Sequence, residues 1–161
     1  MARSIPLLTR WRGAAGGWRT VLWRTALACV AILLVLQLVP YGWRHDNPPD
    51  KSVPTFSNPQ AAALVRSACA DCHSNRTNWP AWSFVAPLSW YVRGDVESGR
   101  EEFNLSDWGR YAHKADDAAE AVSEGSMPPT SYTLLHPHAR LSAEQKRVLI
   151  DAFEQLARQG P

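Results

Sequence analysis

The sequence predicts an all-α protein, a helical domain carried behind a single apolar N-terminal helix, and three observations support it. Apolar residues recur at i, i+3, i+4 and i+7 in several segments after residue 58. Helix-start signals stand ahead of them: Asn58-Pro59, Ser106, and a capping box at Ser142-Ala143-Glu144-Gln145. Nineteen uncharged residues, Thr25 to Trp43, lie between Arg24 and Arg44, close to the ~20 that cross the hydrocarbon core of a bilayer.

That apolar run predicts one transmembrane helix over 25–43. Trp23 on one side and Tyr41 and Trp43 on the other stand where interfacial rings are expected, and five arginines precede the run against one just after it. The basic segment 1–24 is therefore expected to stay cytoplasmic. A cleaved secretory signal is the alternative, since the segment before the short apolar core Ala26 to Val39 is basic. Leu38 to Trp43, however, follows that core without the A-x-A-like pattern of small residues that a cleavage site needs. Ala26-Leu27-Ala28-Cys29 resembles a lipoprotein signal, but Arg24 interrupts the apolar stretch it would require, and Cys29 reads as a small membrane-facing residue.

The formal net charge of +2 over 161 residues hides an asymmetry. Six arginines and no acidic residue precede Asp46; from Asp46 onward there are 11 Lys/Arg against 15 Asp/Glu, a net of −4. The basic character belongs to the membrane-flanking tail, so no nucleic-acid partner is expected. The acidic remainder favours protein partners with positive patches. Residues 44–57, with Pro48, Pro49 and Pro54, read as a stiff extended linker.

The domain, 58–161, opens with a helix whose apolar face is Ala61, Leu64, Val65 and Ala68 and which runs into Cys69-Ala70-Asp71-Cys72-His73. C-x-x-C-H is the attachment signature of c-type haem. Two thiols separated by two residues can form thioethers to the two vinyl groups on one porphyrin edge, and the adjacent imidazole can turn beneath the ring to bind iron. A redox disulfide is one alternative, but it expects a βαβ context, and these surroundings are helical and Ala-rich. Half of a zinc site is another. Its remaining ligands would have to come from His113, His136 or His138, and His136-Pro137-His138 has one intervening residue where finger-type sites have three to five.

After the motif, Trp79-Pro80-Ala81-Trp82 is a proline-broken aromatic loop; its rings either wall a haem from water, raising its potential, or belong to the core. A second helix follows Pro87 with Leu88, Tyr91, Val92, Val96 and Phe103, weakened by Gly94 and Gly99. Ser106 is the expected N-cap of a third, with Trp108, Tyr111, Ala112, Ala115, Ala119 and Val122 on its stripe and Gly125 as its stop. His113 falls off that stripe and reads as a surface residue. Met127 is the one methionine besides the initiator. In a loop stiffened by Pro128 and Pro129 it is a candidate sixth iron ligand, since a thioether opposite imidazole stabilises ferrous iron; the alternative is that it fills a gap in the core. Tyr132 to His138 reads as a loop in which His136 and His138 are substitute ligands or surface residues. A last helix follows Ser142, with Val148, Leu149, Ala152, Phe153 and Leu156 on its apolar face.

Taken together, the motif at 69–73, Trp79-Pro80-Ala81-Trp82-Ser83, Ala86-Pro87-Leu88-Ser89-Trp90, Gly99 to Asn104 with Ser106-Asp107-Trp108, and Met127-Pro128-Pro129 with Tyr132, Leu135-His136-Pro137 and Leu141-Ser142 resemble the bacterial haem-binding domain proteins. These are small membrane-anchored relatives of cytochrome c, and the resemblance covers Ala62 to Ala157. Ala81 stands where relatives often carry an aromatic. The resemblance implies a cytochrome c-like helical fold in which the first and last helices pack together, with one covalent haem c. It implies Cys69 and Cys72 as thioether positions, His73 as proximal and Met127 as distal iron ligand; Trp79 and Trp82 are candidate haem contacts from their place beside the motif. The expected function is one-electron transfer to and from redox protein partners, not enzymatic catalysis. The expected place is the bacterial inner membrane, spanned once, with the haem domain in the periplasm. A haem peroxidase or ligand sensor with a displaceable sixth ligand is the second reading, and a binding module without haem the third.

Overall fold

A computed structural model describes residues 14–160, which fall into two units divided after Pro40. Arg3, Arg10 and Arg12 lie outside the described residues. The first unit contains α1 (Ala14–Leu36), 23 residues and hence about 34 Å long. Its stretch Gly17–Leu36 is long and apolar enough to cross a membrane, and none of it is buried. This helix lies earlier at both ends than the 25–43 expected. Ala14 and Ala15 favour helix, and the arginines at 19 and 24 do not interrupt it. At the other end Pro40 has no N–H to donate and biases Val39 away from helix, and the chain turns through a short 3₁₀ segment, Pro40–Trp43.

The second unit is all-α: its described residues form no strand, only one isolated bridge between Ser52 and Asp107. α2 (Pro59–Ala68) starts as its sequence dictates, with the Asn58 side chain accepting the Gln60 N–H at 2.9 Å. Ala61, Leu64, Val65 and Ala68 are all buried. A single turn, α3 (Ala70–His73), is followed by α4 (Leu88–Glu102), α5 (Trp108–Tyr111), α6 (Ala115–Glu124), α7 (Thr130–Leu135) and α8 (Ala143–Gln159). The Ser142–Gln145 capping box forms, and Gly125 ends α6 at φ 79°, the left-handed conformation that glycine adopts without penalty.

The first helix of the domain, α2, packs on the last, α8, and α6 lies along α8 on another side. Leu64, Val65, Phe103, Trp108, Val122, Leu149, Phe153 and Leu156 meet in the core between them. Phe153, 2% exposed, stands edge-on to both Phe56 and Phe103, with ring centroids 6.1 and 6.0 Å away. Truncating it removes a large buried ring, so Phe153→Ala is expected to cost ~3–5 kcal/mol, read as a lowered urea midpoint in detergent. A loss below ~1 kcal/mol would place the core elsewhere.

Four expectations meet a different outcome. The third helix keeps its apolar stripe buried but is broken by a 3₁₀ turn, Ala112–Lys114. Ser106 does not cap it: wholly buried, its hydroxyl accepts the Asn75 N–H at 3.0 Å, a tertiary partner that outcompetes the local one. Residues 130–139, expected as a loop from Tyr132 onward, form α7 and a 3₁₀ turn, Pro137–Ala139, held by local bonds such as His136 N–H to the Tyr132 carbonyl at 2.9 Å. The proline-rich segment 44–57 is extended, but it is laid along the domain. Lys51 and Ser52 N–H donate to the Ser106 carbonyl at 2.8 and 3.3 Å, and the Asn47 side chain donates to the Thr77 carbonyl at 2.9 Å.

Candidate functional site

The site is built on the single turn α3. Cys72 and His73 N–H both donate to the Cys69 carbonyl, at 3.2 and 2.9 Å. Residues 69, 72 and 73, related as i, i+3 and i+4, therefore share one face of that turn. All three line a cavity of about 540 Å³ together with Met127, Pro128, Pro129, Tyr132 and residues of α4. A smaller space of about 190 Å³ shares Cys69, His73, Glu102 and Met127 with it and is backed by the core residues Phe103, Val122 and Phe153. Apart from the rim residues of α4, the walls are largely apolar, as is usual for cofactor pockets of ~300–1,000 Å³.

The position of α3 depends on Gly99 of α4. A Cβ there would lie 2.6 Å from the Cys72 carbonyl oxygen and 2.9 Å from the Cys72 Cβ, so the helix approaches the motif as closely as only glycine allows. Just beyond, Phe103 leaves α4 in extended conformation, and its carbonyl accepts the His73 Nδ1–H at 2.9 Å. A carbonyl can only accept, so the neutral ring carries its proton on Nδ1 and leaves the Nε2 lone pair free for a metal. Burial lowers the His73 pKa, partly opposed by that carbonyl, and so favours the neutral form.

The segment carrying the Phe103 carbonyl is itself fixed. Leu105 N–H donates to the His73 carbonyl at 2.8 Å; Asn104 donates to the Asn75 side chain at 3.0 Å and accepts the Ser106 N–H at 2.9 Å. Arg100 spans motif and strap, donating to the Ser74 and Asp46 carbonyls and to the Asn47 and Thr77 side chains at 2.8–2.9 Å. Asp71, inside the motif, accepts the Tyr132 hydroxyl at 2.7 Å and the Asn78 N–H at 2.9 Å. Burial first, then the Asp71 bond, raises the Tyr132 pKa, keeping the phenol a donor. Sequence reasoning assigned no role to Asn75, Arg100, Asn104 or Tyr132. A signal existed for one of them: Asn104 lies among Phe103 and Leu105, and a polar residue in an apolar stretch is buried only when bonded.

Cys69 and Cys72 are free thiols. Burial, with the Cys72 sulfur near Cys69 and the Asp95 and Asp71 carboxylates near Cys72, pushes both up to about 12. A redox C-x-x-C pair works through a depressed thiol pKa, and this environment does the opposite. Zinc finds no support either: among the described residues no three His, Cys, Asp or Glu side chains gather as a ligand set.

Met127 lines both spaces, together with His73; its N–H donates to the Ala121 carbonyl at 3.1 Å, and the residue is 37% exposed. Trp79 and Trp82 are not brought to this cavity. Trp79 stands edge-on to His45, with centroids 4.7 Å apart, and Trp82 lines a narrow neighbouring cleft with Tyr91, Leu135 and His136. The cavity wall is made instead by Ala68, Tyr132 and the two prolines. His136 stacks on Tyr132 at 4.1 Å and meets His138 edge-on at 5.8 Å; His113 is exposed, and none of the three histidines lines the cavity.

The residues present fit a haem: an apolar cavity of suitable size, lined by two thiols and a neutral imidazole that share one face of a turn and by a thioether. Comparison with known proteins agrees. A family model described as "Haem-binding domain" matches residues 31–155. The protein "Cytochrome c peroxidase Ccp" of Escherichia coli (strain K12) is 29% identical over 139 residues, covering 77% of this chain and 30% of that protein. The chain thus spans under a third of the length of that curated relative. No solved structure matches.

Proposed function

This chain belongs to the haem-binding domain family, and from that premise we propose that it holds one haem c covalently and serves as a membrane-anchored one-electron carrier. The observation that carries the proposal is the shared wall of Cys69, Cys72 and His73, with the Phe103 carbonyl reserving the His73 Nε2 lone pair. Cys69 and Cys72 would hold the haem through thioethers, each formed by addition of S–H across a vinyl group with no net oxidation. His73, through Nε2, and Met127, through its sulfur, would supply protein ligands to the iron. When bound, the haem supplies an iron that gains and loses one electron. The chain's own residues hold His73 in place, with Gly99 and the Asn75–Asn104–Ser106 bonds fixing the wall that carries it. The apolar helix α1 anchors the domain at the bacterial inner membrane with the haem on the periplasmic side, and its basic N-terminal flank supports that orientation. Redox proteins with positive patches are the partners that the acidic domain favours.

Absorption spectra of both oxidation states of the purified protein test this. A weak near-infrared sulfur-to-iron band in the ferric form is expected, and Met127→Leu should remove it and lower the potential by on the order of 0.1 V, a fraction of the ~0.8 V over which axial ligands tune haem. A second reading, a haem peroxidase, is favoured by the similarity to the cytochrome c peroxidase and by the partial exposure of Met127. Rapid carbon monoxide binding to the reduced wild type, with no sulfur-to-iron band, would select it over the carrier.

A further inference from the structure

Resting on the haem reading above, we propose that Lys114 is the counter-cation for the carboxylate edge of the bound cofactor. A haem attached through its vinyl edge carries two carboxylates on the opposite edge, and an anion leaving water needs a cation or a hydrogen-bond donor. The charged residues that line the two connected spaces are Asp95, Glu101 and Glu102 from α4, Asp117 from α6, and Lys114. Four are acidic and one is basic. Two further negative charges set against Asp95 and Glu101 alone would meet only repulsion.

The setting of Lys114 suits it to the role. It ends the 3₁₀ turn Ala112–Lys114, lines the smaller space with His73 and Met127, and is ion-paired to Glu102. The Lys114 side chain is 26% exposed while that of Glu102 is 73% exposed. A pair with so exposed a carboxylate contributes little, and an ammonium has three donors. Nζ can therefore take a second carboxylate while keeping Glu102, or exchange one for the other at small cost. The break in the helix at 112–114, which the sequence pattern does not foretell, is what places this cation at the edge of the haem space.

The test uses the full-length matured protein in detergent, with resonance Raman detection of the haem carboxylate bending band. Lys114→Met is expected to move the band and Lys114→Arg to return it toward the wild-type position; identical bands in wild type and Lys114→Met would overturn the assignment. Should Lys114→Met not mature, the unmatured full chain is titrated with iron mesoporphyrin, which has no vinyl groups, and with its dimethyl ester. Lys114→Met should then weaken the diacid about tenfold and leave the ester unchanged; equal weakening of both, or of neither, overturns the assignment. The two readings fail differently. Wild-type protein that loses its colour in boiling detergent sinks covalent attachment, whereas a Lys114→Met protein that keeps its colour and its unmoved band sinks Lys114 alone.

Discussion

Serine at both Cys69 and Cys72 is expected to leave the polypeptide, co-expressed with cytochrome maturation machinery, at its unmodified mass, with all haem extracted by acidified acetone. The wild type should carry one haem mass and keep it through denaturation. A hydroxyl does not add across a vinyl group as a thiol does, while its size and polarity leave α3 and the His73–Phe103 bond at 2.9 Å undisturbed. Any haem that remains is then held by His73 and packing alone. The measurement is an intact mass with a pyridine haemochrome spectrum, and single serine variants should each keep one thioether. If the double variant retained its haem mass, the proposed attachment would be lost.

Valine at Gly99 should be the most damaging single substitution on α4. The added side chain would enter the 2.6 Å gap to the Cys72 carbonyl, and its neighbour is backbone that cannot swing aside. Overpacking costs ~1–3 kcal/mol where side chains give, and ~3 kcal/mol or more is expected here, with loss of haem incorporation as α3 is pushed off α4. Gly94, five residues earlier on the same helix, is the control. A Cβ there meets nothing nearer than the Tyr41 hydroxyl at 3.7 Å, so Gly94→Ala should be neutral or stabilise by up to ~1 kcal/mol through helix propensity. Haem content and urea midpoints of the pair decide it, and equal effects at 94 and 99 would remove the close crossing from the account.

Those two glycines also show how far sequence reasoning reaches. Read along the chain, both weaken a helix; propensity is a local quantity and cannot report that one of them faces a backbone from elsewhere. The faces of α2 and α8, by contrast, were legible residue by residue. Ala61, Leu64, Val65 and Ala68, and Leu149, Ala152, Phe153 and Leu156, are buried as their spacing predicts, with Val148 half-buried beside them, because helical periodicity alone decides which side chains share a face. Trp79 and Trp82 mark the limit. Being aromatic near the motif says that they will be partly buried but not against what: Trp79 packs on His45, and Trp82 lines a neighbouring cleft that shares Cys72 and Tyr132 with the cavity.

What the sequence determined by itself is therefore whatever depends on neighbours within about two turns: the apolar N-terminal helix, the capped and amphipathic helices, the left-handed stop at Gly125, and the i, i+3, i+4 grouping of two thiols and an imidazole. Tertiary structure alone decided the tautomer of His73, through a carbonyl 30 residues away. It also decided the diversion of Ser106 from capping to the Asn75 network, the laying of the proline-rich strap along the domain, and the meeting of Met127 with His73 around one cavity. Each of these joins groups far apart in the chain, and such a pairing is fixed only when packing brings them within hydrogen-bond or contact distance.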